Sequence, residues 1–566
     1  MYRYIFCKKS IIFSEFTVPT GIKFYKTLIK HNKMDILRQF QSIPWCKPDW
    51  CYPSMGKEMN DLLKQCIDLP KVKLNDDVNE IIQRSKAFPI PFPIDTISLE
   101  VLKERKPLER LKRNIVSTYP IIHERVLLLM THFLIYKREF GSAIEKSLYN
   151  NMTVPEFIDR LLKKRAVTFM SKKDKYMLIT GEQGVDGWEQ IGTIQQKPPL
   201  ELENCLSYDE IKLSAMVYVS GYTECINDGN RYNNGVVDDN NVEEEAVIIG
   251  LIGPRFERPE RMEYEDILIT EQQNTPENGY GEEVTPTTCL NVLKTTYVKN
   301  NQSAKHMWRQ IWSEFYQVHS YTHQELTSYV HITDSPDDRM YLERYVKTPR
   351  GIFDNEVYYK RVSVLAECAL LDADWRGRSE GGKMAFLNVI GCGLGVWKVS
   401  PHQTDVYVLT FLERIRAFLK KDLLNHVSDV NFAYIKPSQS ILALFSNKTT
   451  SEDSPTEKRI FFESKRHPQG GINVQIEKRE PSSKLSGEHA GKLLVMTYPW
   501  DGNAHPGNEF WLGSLQGSGD PAAAGSTQVA ELHNAHINPA VSGYNTHVVG
   551  RHGLQTLSEY CVDLTT

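Results

Sequence analysis

Met384 to Ile390 is apolar enough for a buried strand, and Thr404 to Leu419 carries Val408, Leu412, Ile415 and Leu419 at helical spacing. Between them lies Gly391-Cys-Gly-Leu-Gly-Val-Trp397. Strand, glycine loop, then helix points to an α/β fold with a phosphate cradle. Glycines let backbone N–H groups converge on an anion, and the helix N-terminus adds its positive dipole end. The spacing is G-x-G-x-G, not the G-x-G-x-x-G of a dinucleotide fold, and no acidic residue follows at the distance such a fold needs. A tight turn that binds nothing is the alternative.

A second strand, Lys492 to Pro499, feeds the polar loop Trp500-Asp-Gly-Asn-Ala-His-Pro-Gly-Asn-Glu-Phe-Trp511 and then Gly517-Ser-Gly-Asp-Pro-Ala-Ala-Ala524. Open α/β sheets place ligands at the carboxyl ends of their strands, so two such loops make a cleft. Asp501, Asn503, Glu509 and Asp520 supply carboxylate and amide groups, while Trp500, Phe510 and Trp511 are of a type to wall an adenine or ribose. Asp520 before Pro521 also reads as a helix N-cap. His505, His533 and His536 read as surface residues rather than metal ligands, and no metal is expected. A third strand, Ala246 to Gly253, leads into a charged turn in which Arg255, Glu257 and Glu263 form either a solvated face or a pocket wall.

With 67 basic and 71 acidic residues the net charge is -4, which gives no general attraction to nucleic acid. The longest apolar runs are too short to span a bilayer, so no membrane partner is expected. Ten cysteines without regular spacing suit a reducing compartment. Residues 1–33, basic with Glu15 as the one acid, read as a presequence or an appended start outside the fold. Residues 34–200 read as mainly helical and 201–566 as the site-bearing domain, with polar insertions near 227–245 and 447–491. Tyr341 to Val346 and Glu356 to Leu371 read as helices, the latter leading to Asp372, Asp374 and Arg376; Val430 to Ile435 reads as a parallel strand.

Asn388-Val-Ile-Gly-Cys-Gly-Leu-Gly-Val-Trp397 is similar to the second phosphate loop of macrodomains. Taken with Pro254-Arg-Phe-Glu257, Met262-Glu263, Gly507-Asn-Glu509 and Gly519-Asp-Pro-Ala-Ala-Ala524, it resembles the MavL-like class of macrodomain enzymes, which remove single ADP-ribose groups from arginine. The resemblance implies a macrodomain-like three-layer α/β/α domain behind a helical N-terminal region, no cofactor, and ADP-ribose and a mono-ADP-ribosylated protein as partners, in the cytoplasm or also the nucleus. Asp501 and Glu509 are then expected to orient water and steady a ribosyl cation, with Asp520 orienting the ligand or holding its helix. Asn503 would position the ribose, and Gly391, Gly393, Leu394, Gly395 and Val396 the diphosphate, with Trp397, Arg255, Glu257 and Glu263 completing the wall. A module that binds ADP-ribose without chemistry needs the glycine loop but neither Asp501 nor Glu509; an interaction scaffold needs none of them.

Overall fold

The apolar runs at 246–253, 384–390, 430–435 and 492–499 become neighbouring strands of one sheet. The computed structural model describes residues 35–47, 55–70, 72–281, 292–333, 339–445 and 459–565. Its largest sheet has ten strands. In chain order they are β1 (Tyr119–His123), β2 (Val217–Glu224), β3 (Glu245–Leu251), β4 (Ala385–Ile390), β5 (Val427–Ala433), β6 (Arg459–Glu463), β7 (Gly471–Gln475), β8 (Leu493–Pro499), β9 (His547–Gly550) and β10 (Gly553–Thr556). In space the order is β6-β7-β5-β4-β8-β3-β2-β1-β9-β10. Strands β7, β5, β4, β8 and β3 are mutually parallel, so their carboxyl ends lie along one edge. The rest of the sheet is mixed: β2 is antiparallel to β3 and to β1, β9 is parallel to β1, and β6 and β10 close the two ends as antiparallel hairpin partners.

The central strands β3, β4, β5 and β8 are buried along almost their whole length. Strands covered on both faces select continuous apolar runs over alternation, which is why these four are readable in the sequence. Helix α1 (Glu124–Phe140) packs on β1 and β9, and three more bear on the site: α2 (Asn355–Ser379), α3 (His402–Lys420) and α4 (Gly519–Ser526). The start of α2 is set by Asp354, whose side chain accepts from the backbone N–H groups of Glu356 and Val357. Asp372 and Arg376 near its end brace the antiparallel half of the sheet. Asp372 accepts from the Tyr119 hydroxyl at 2.7 Å and the Ser220 hydroxyl at 2.7 Å, and Arg376 donates to the Ser117 carbonyl at 3.0 Å.

Several expectations change. Residues 119–123 place β1 inside the sheet, and Leu37, Phe133, Phe157, Val389 and Val548 belong to a single apolar core, so the 34–200 stretch is continuous with the sheet. Tyr341 to Val346 is not helical: a 3-10 turn at Met340–Leu342 precedes a strand, Tyr345–Thr348. The polar insertion near 447–491 contains β7, whose Ile472 and Val474 are fully buried; the two side chains are enough to seat a strand although its flanks are lysine-rich. Its residues 447–457 lie outside those described, as do residues 1–33. The insertion at 227–245 is held by consecutive turns rather than left loose. Asn227, Asp228 and Asn230 accept through their side chains from the N–H groups of Gly229, Asn230 and Tyr232 at 2.9, 3.0 and 2.9 Å, and Ser482 ties the loop down through Asn227 and Asp228. Among the described residues, no helix is long and apolar enough to cross a membrane.

Candidate active site

Strand β4 ends at Ile390, and the glycine loop turns back over the start of α3. Two close approaches fix this turn. Gly393 has φ +73°, and a Cβ there would lie 3.0 Å from the Pro254 carbonyl oxygen. A Cβ on Gly253, at the end of the β3 segment, would come within 2.3 Å of the Cys392 backbone. The loops after β3 and β4 therefore touch backbone to backbone, which only glycine permits. Gly395 differs: a Cβ there meets nothing within 4 Å. It faces a cleft of about 560 Å³ that runs along the carboxyl ends of β4, β5 and β8. Gly391, Leu394 and Lys398 line this cleft from the glycine loop, and Thr404 lines it from the first turn of α3.

The loop after β8 carries the acids. Asp501 is half-buried and accepts through Oδ1 from the Asn503 side-chain amide at 2.7 Å, and through Oδ2 from the Asn508 amide at 2.9 Å. Asn508 in turn accepts from the Phe169 N–H at 3.0 Å, so a segment far away in sequence sets the carboxylate's orientation. Burial pushes the Asp501 carboxyl up to about 6, partly offset by the charge of Arg255. Glu509, also half-buried, is raised for the same first reason, and Ser518 donates to it at 3.4 Å. Asp520 is different. It lies in the first turn of α4 but does not cap that helix, whose N-cap is Ser518. Its oxygens accept from the backbone N–H groups of Gly507 at 2.8 Å and Asp501 at 3.3 Å, and burial holds its carboxyl well above the usual range. Asp520 thus pins the two halves of the acid loop together.

Arg255 joins the two loops. Its guanidinium lies 4.9 Å from the Phe169 ring centre and 5.9 Å from that of Trp397, and it pairs with Glu257 at 3.1 Å. Only 2 % exposed, it sets a fixed positive charge among the acids. Glu263 has both oxygens occupied, by the Arg255 N–H at 3.4 Å and by Arg361 at 3.1 Å, and sits in the core.

The family model for MavL-like ADP-ribosylhydrolases matches residues 79–563. The chain belongs to this family. It is 39 % identical over 503 residues to ADP-ribosylarginine hydrolase CG3568 of Drosophila melanogaster, a match covering 88 % of this chain and 91 % of the relative. It is 38 % identical over 507 residues to ADP-ribosylarginine hydrolase CG2909 of the same fly, with 88 % and 92 % covered.

In this ADP-ribosylhydrolase the fold brings the two sequence-derived loops to one edge, with Arg255, Glu257 and Trp397 beside them. It does not use Trp500, Phe510 or Trp511 as cleft walls. Trp500 donates to the Ala504 carbonyl and stacks under Arg165, and Phe510 and Trp511 pack against Phe92, all three nearly closed to solvent. Large aromatics beside glycines are drawn into the core because the N-terminal segment supplies an apolar partner. His505, His533 and His536 are not on the surface: the first two are buried, and His536 faces inward, with its Nε2 at 2.9 Å from the Lys163 carbonyl that accepts from it. Three tyrosines line the cleft: Tyr498, closed to solvent at its base, and two that are open, Tyr232, 70 % exposed, and Tyr434, 50 % exposed. Tyr434 follows β5 with φ +59°, a conformation rare for a bulky residue, with Lys478 over its ring at 5.9 Å. Sequence reasoning misses both. Tyr232 sits in a stretch with the composition of a solvated insertion, and Tyr434 has no motif around it.

Proposed function

We propose that this hydrolase cleaves the N-glycosidic bond between ADP-ribose and the guanidinium of a modified arginine in a protein, on a macrodomain-like frame. The single observation that carries the reading is the buried Arg255, which lies over Trp397 of the glycine loop and whose charge acts on Asp501, with Glu509 close enough to act on Asp501 as well. The family relationship and the names of the two fly relatives support arginine as the modified residue. In this reading the diphosphate lies along the Gly391–Val396 backbone, Lys398 and Lys436 at the cleft wall add positive charge, and Tyr232 and Tyr434 face the base.

Bond breaking gives the ribosyl carbon cationic character, and the departing guanidine nitrogen takes the bonding pair. Asp501 accepts a proton from the attacking water, and that proton restores the charge on the freed arginine. Glu509 supplies a second negative charge as the cation develops. Asn503 and Asn508 hold Asp501 in one rotamer, and Asp520 and Glu263 keep their loops in place. The free, buried cysteines among the described residues fit a reducing compartment such as the cytoplasm. The test is ADP-ribose release from matched peptides modified on arginine, glutamate or serine. Release from the arginine peptide alone, or at least about a hundredfold faster, is expected; equal rates would overturn the assignment of arginine.

The pH dependence has a defined sign. Asp501 must be ionised to take a proton, so the single-turnover rate should fall about tenfold per pH unit below about 6. Stability runs the other way. A carboxyl raised by burial is protonated in the folded chain while still ionised in the unfolded one, so stability rises as pH falls from 7 through 6. Asp501→Asn removes the buried charge and should be more stable than the native protein at pH 7.5, by about 1–3 kcal/mol, with the gap closing near pH 4. Urea unfolding at the two pH values measures it.

A further inference from the structure

Tyr434 stands at the carboxyl end of β5 in the left-handed region, where a residue with a Cβ is disfavoured, and its ring is left half exposed at the cleft wall instead of being drawn into the core. Backbone strain of this kind persists only where the surroundings over-determine it. Here the surroundings come from the segment after β7. Lys478 holds its ammonium 5.9 Å from the ring centre, and Glu480 sets its carboxylate against the hydroxyl, which burial and this hydrogen bond raise above the usual phenol range. The next residues of the same segment hold the other open tyrosine. Ser482 donates through its N–H to the Asp228 carbonyl at 3.0 Å and through its hydroxyl to the Asn227 carbonyl at 2.8 Å, and a Cβ on Gly229 would lie 3.0 Å from Pro481. The loop that carries Tyr232 is thereby seated on this segment. Asp228 and Arg231 of that loop act with their charges on the Tyr434 hydroxyl, so the two walls are neighbours. Two open rings from distant parts of the chain share one mount, and Lys478, Glu480, Pro481 and Ser482 of that mount line the cleft with them.

We propose that Tyr232 and Tyr434 form a clamp for the base of ADP-ribose, and that Glu480 is the positioning residue that fixes Tyr434 in it. The inference rests on the hydrolase reading above and adds what sets the geometry of base recognition. Stacking on an aromatic ring grips a base by its face and needs no hydrogen bonds to its edge. It holds a ligand best when the ring is in place beforehand, because a ring that must be ordered on binding spends part of the contact on its own immobilisation. The strained backbone at Tyr434, with its ties to Glu480 and Lys478, supplies that order in the free protein.

Calorimetry with ADP-ribose and thermal unfolding on the same preparations test this. Tyr434→Gly removes the strain and the ring together, so it should unfold at or above the native temperature while binding ADP-ribose about ten- to a hundredfold more weakly. Glu480→Ala and Tyr434→Phe each break the tie and keep the ring; each should weaken binding about three- to tenfold and unfold within about 2 °C of native. Added to Tyr434→Gly, Glu480→Ala should cost no further affinity, because it acts through the ring. Single-turnover rates on saturating arginine-modified peptide should stay within about threefold of native in every variant, since the acid loop is untouched. A Tyr434 that serves only the fold would instead lower the unfolding temperature in Tyr434→Gly. That result, native affinity in Tyr434→Gly, or additive losses in the double variant would overturn the proposal. If the native protein bound no ADP-ribose, the hydrolase reading would fall and the clamp with it; native binding and release with unaffected variants would remove the clamp alone.

Discussion

Asp501→Asn and Glu509→Gln should each lower the single-turnover rate on an arginine-modified peptide by about two to four powers of ten, while ADP-ribose affinity changes less than about threefold. The asymmetry follows from when each carboxylate does its work. In the ground state Asp501 is tied to Asn503 and Asn508, and its ionised form is opposed by burial. Free ADP-ribose offers this charge no positive partner, whereas the reacting substrate does as the ribose becomes cationic, so losing it costs transition-state stabilisation and little ADP-ribose binding. The amide variants retain shape and one acceptor, so in Asp501→Asn one of the two donors, Asn503 or Asn508, keeps its partner while the other faces an NH2 group. Calorimetry with ADP-ribose beside rapid-quench kinetics separates the two quantities. Near-native rates in both variants would mean that neither group is the base. Asp520 would then be a poor substitute, because its oxygens already serve the N–H groups of Gly507 and Asp501.

Local chemistry makes part of this site legible in the amino-acid sequence. Buried parallel strands announce themselves as unbroken apolar runs, and the loops at their carboxyl ends announce themselves as glycine and carboxylate, so β3, β4, β8 and the positions of Asp501 and Glu509 are within reach. What stays hidden depends on partners far away in the chain. Phe169 sets Asn508, and through it Asp501, across more than three hundred residues. Tyr232 resembles part of a solvated insertion because no sequence pattern shows that Ser482 holds its loop against the cleft. Trp500, Phe510 and Trp511 mislead for the converse reason. Aromatic residues next to a polar loop suit a ligand wall and a core equally well, and the choice is made by Arg165 and Phe92, which the loop itself does not contain.

The glycine loop permits a sharper test than the acids do, because two of its glycines are glycine for different reasons. At Gly393 the backbone is left-handed and the Pro254 carbonyl stands 3.0 Å from any Cβ, so Gly393→Val strains the turn whatever binds there. Loss of binding in that variant would carry little information. At Gly395 nothing in the protein lies within 4 Å of a Cβ, and the residue lines the cleft at the entry to α3. A valine there has space in the free protein and removes space from a ligand that must approach the backbone. Gly395→Val should therefore leave the melting temperature within about 2 °C of native and weaken ADP-ribose binding roughly a hundredfold or more, since a branched side chain would hold the diphosphate out of reach of the loop. Thermal unfolding and calorimetry on one preparation measure both. Unchanged affinity in a folded Gly395→Val protein would remove the loop from the binding site and leave it as a strand-to-helix turn; lost affinity with an intact fold places the diphosphate against it.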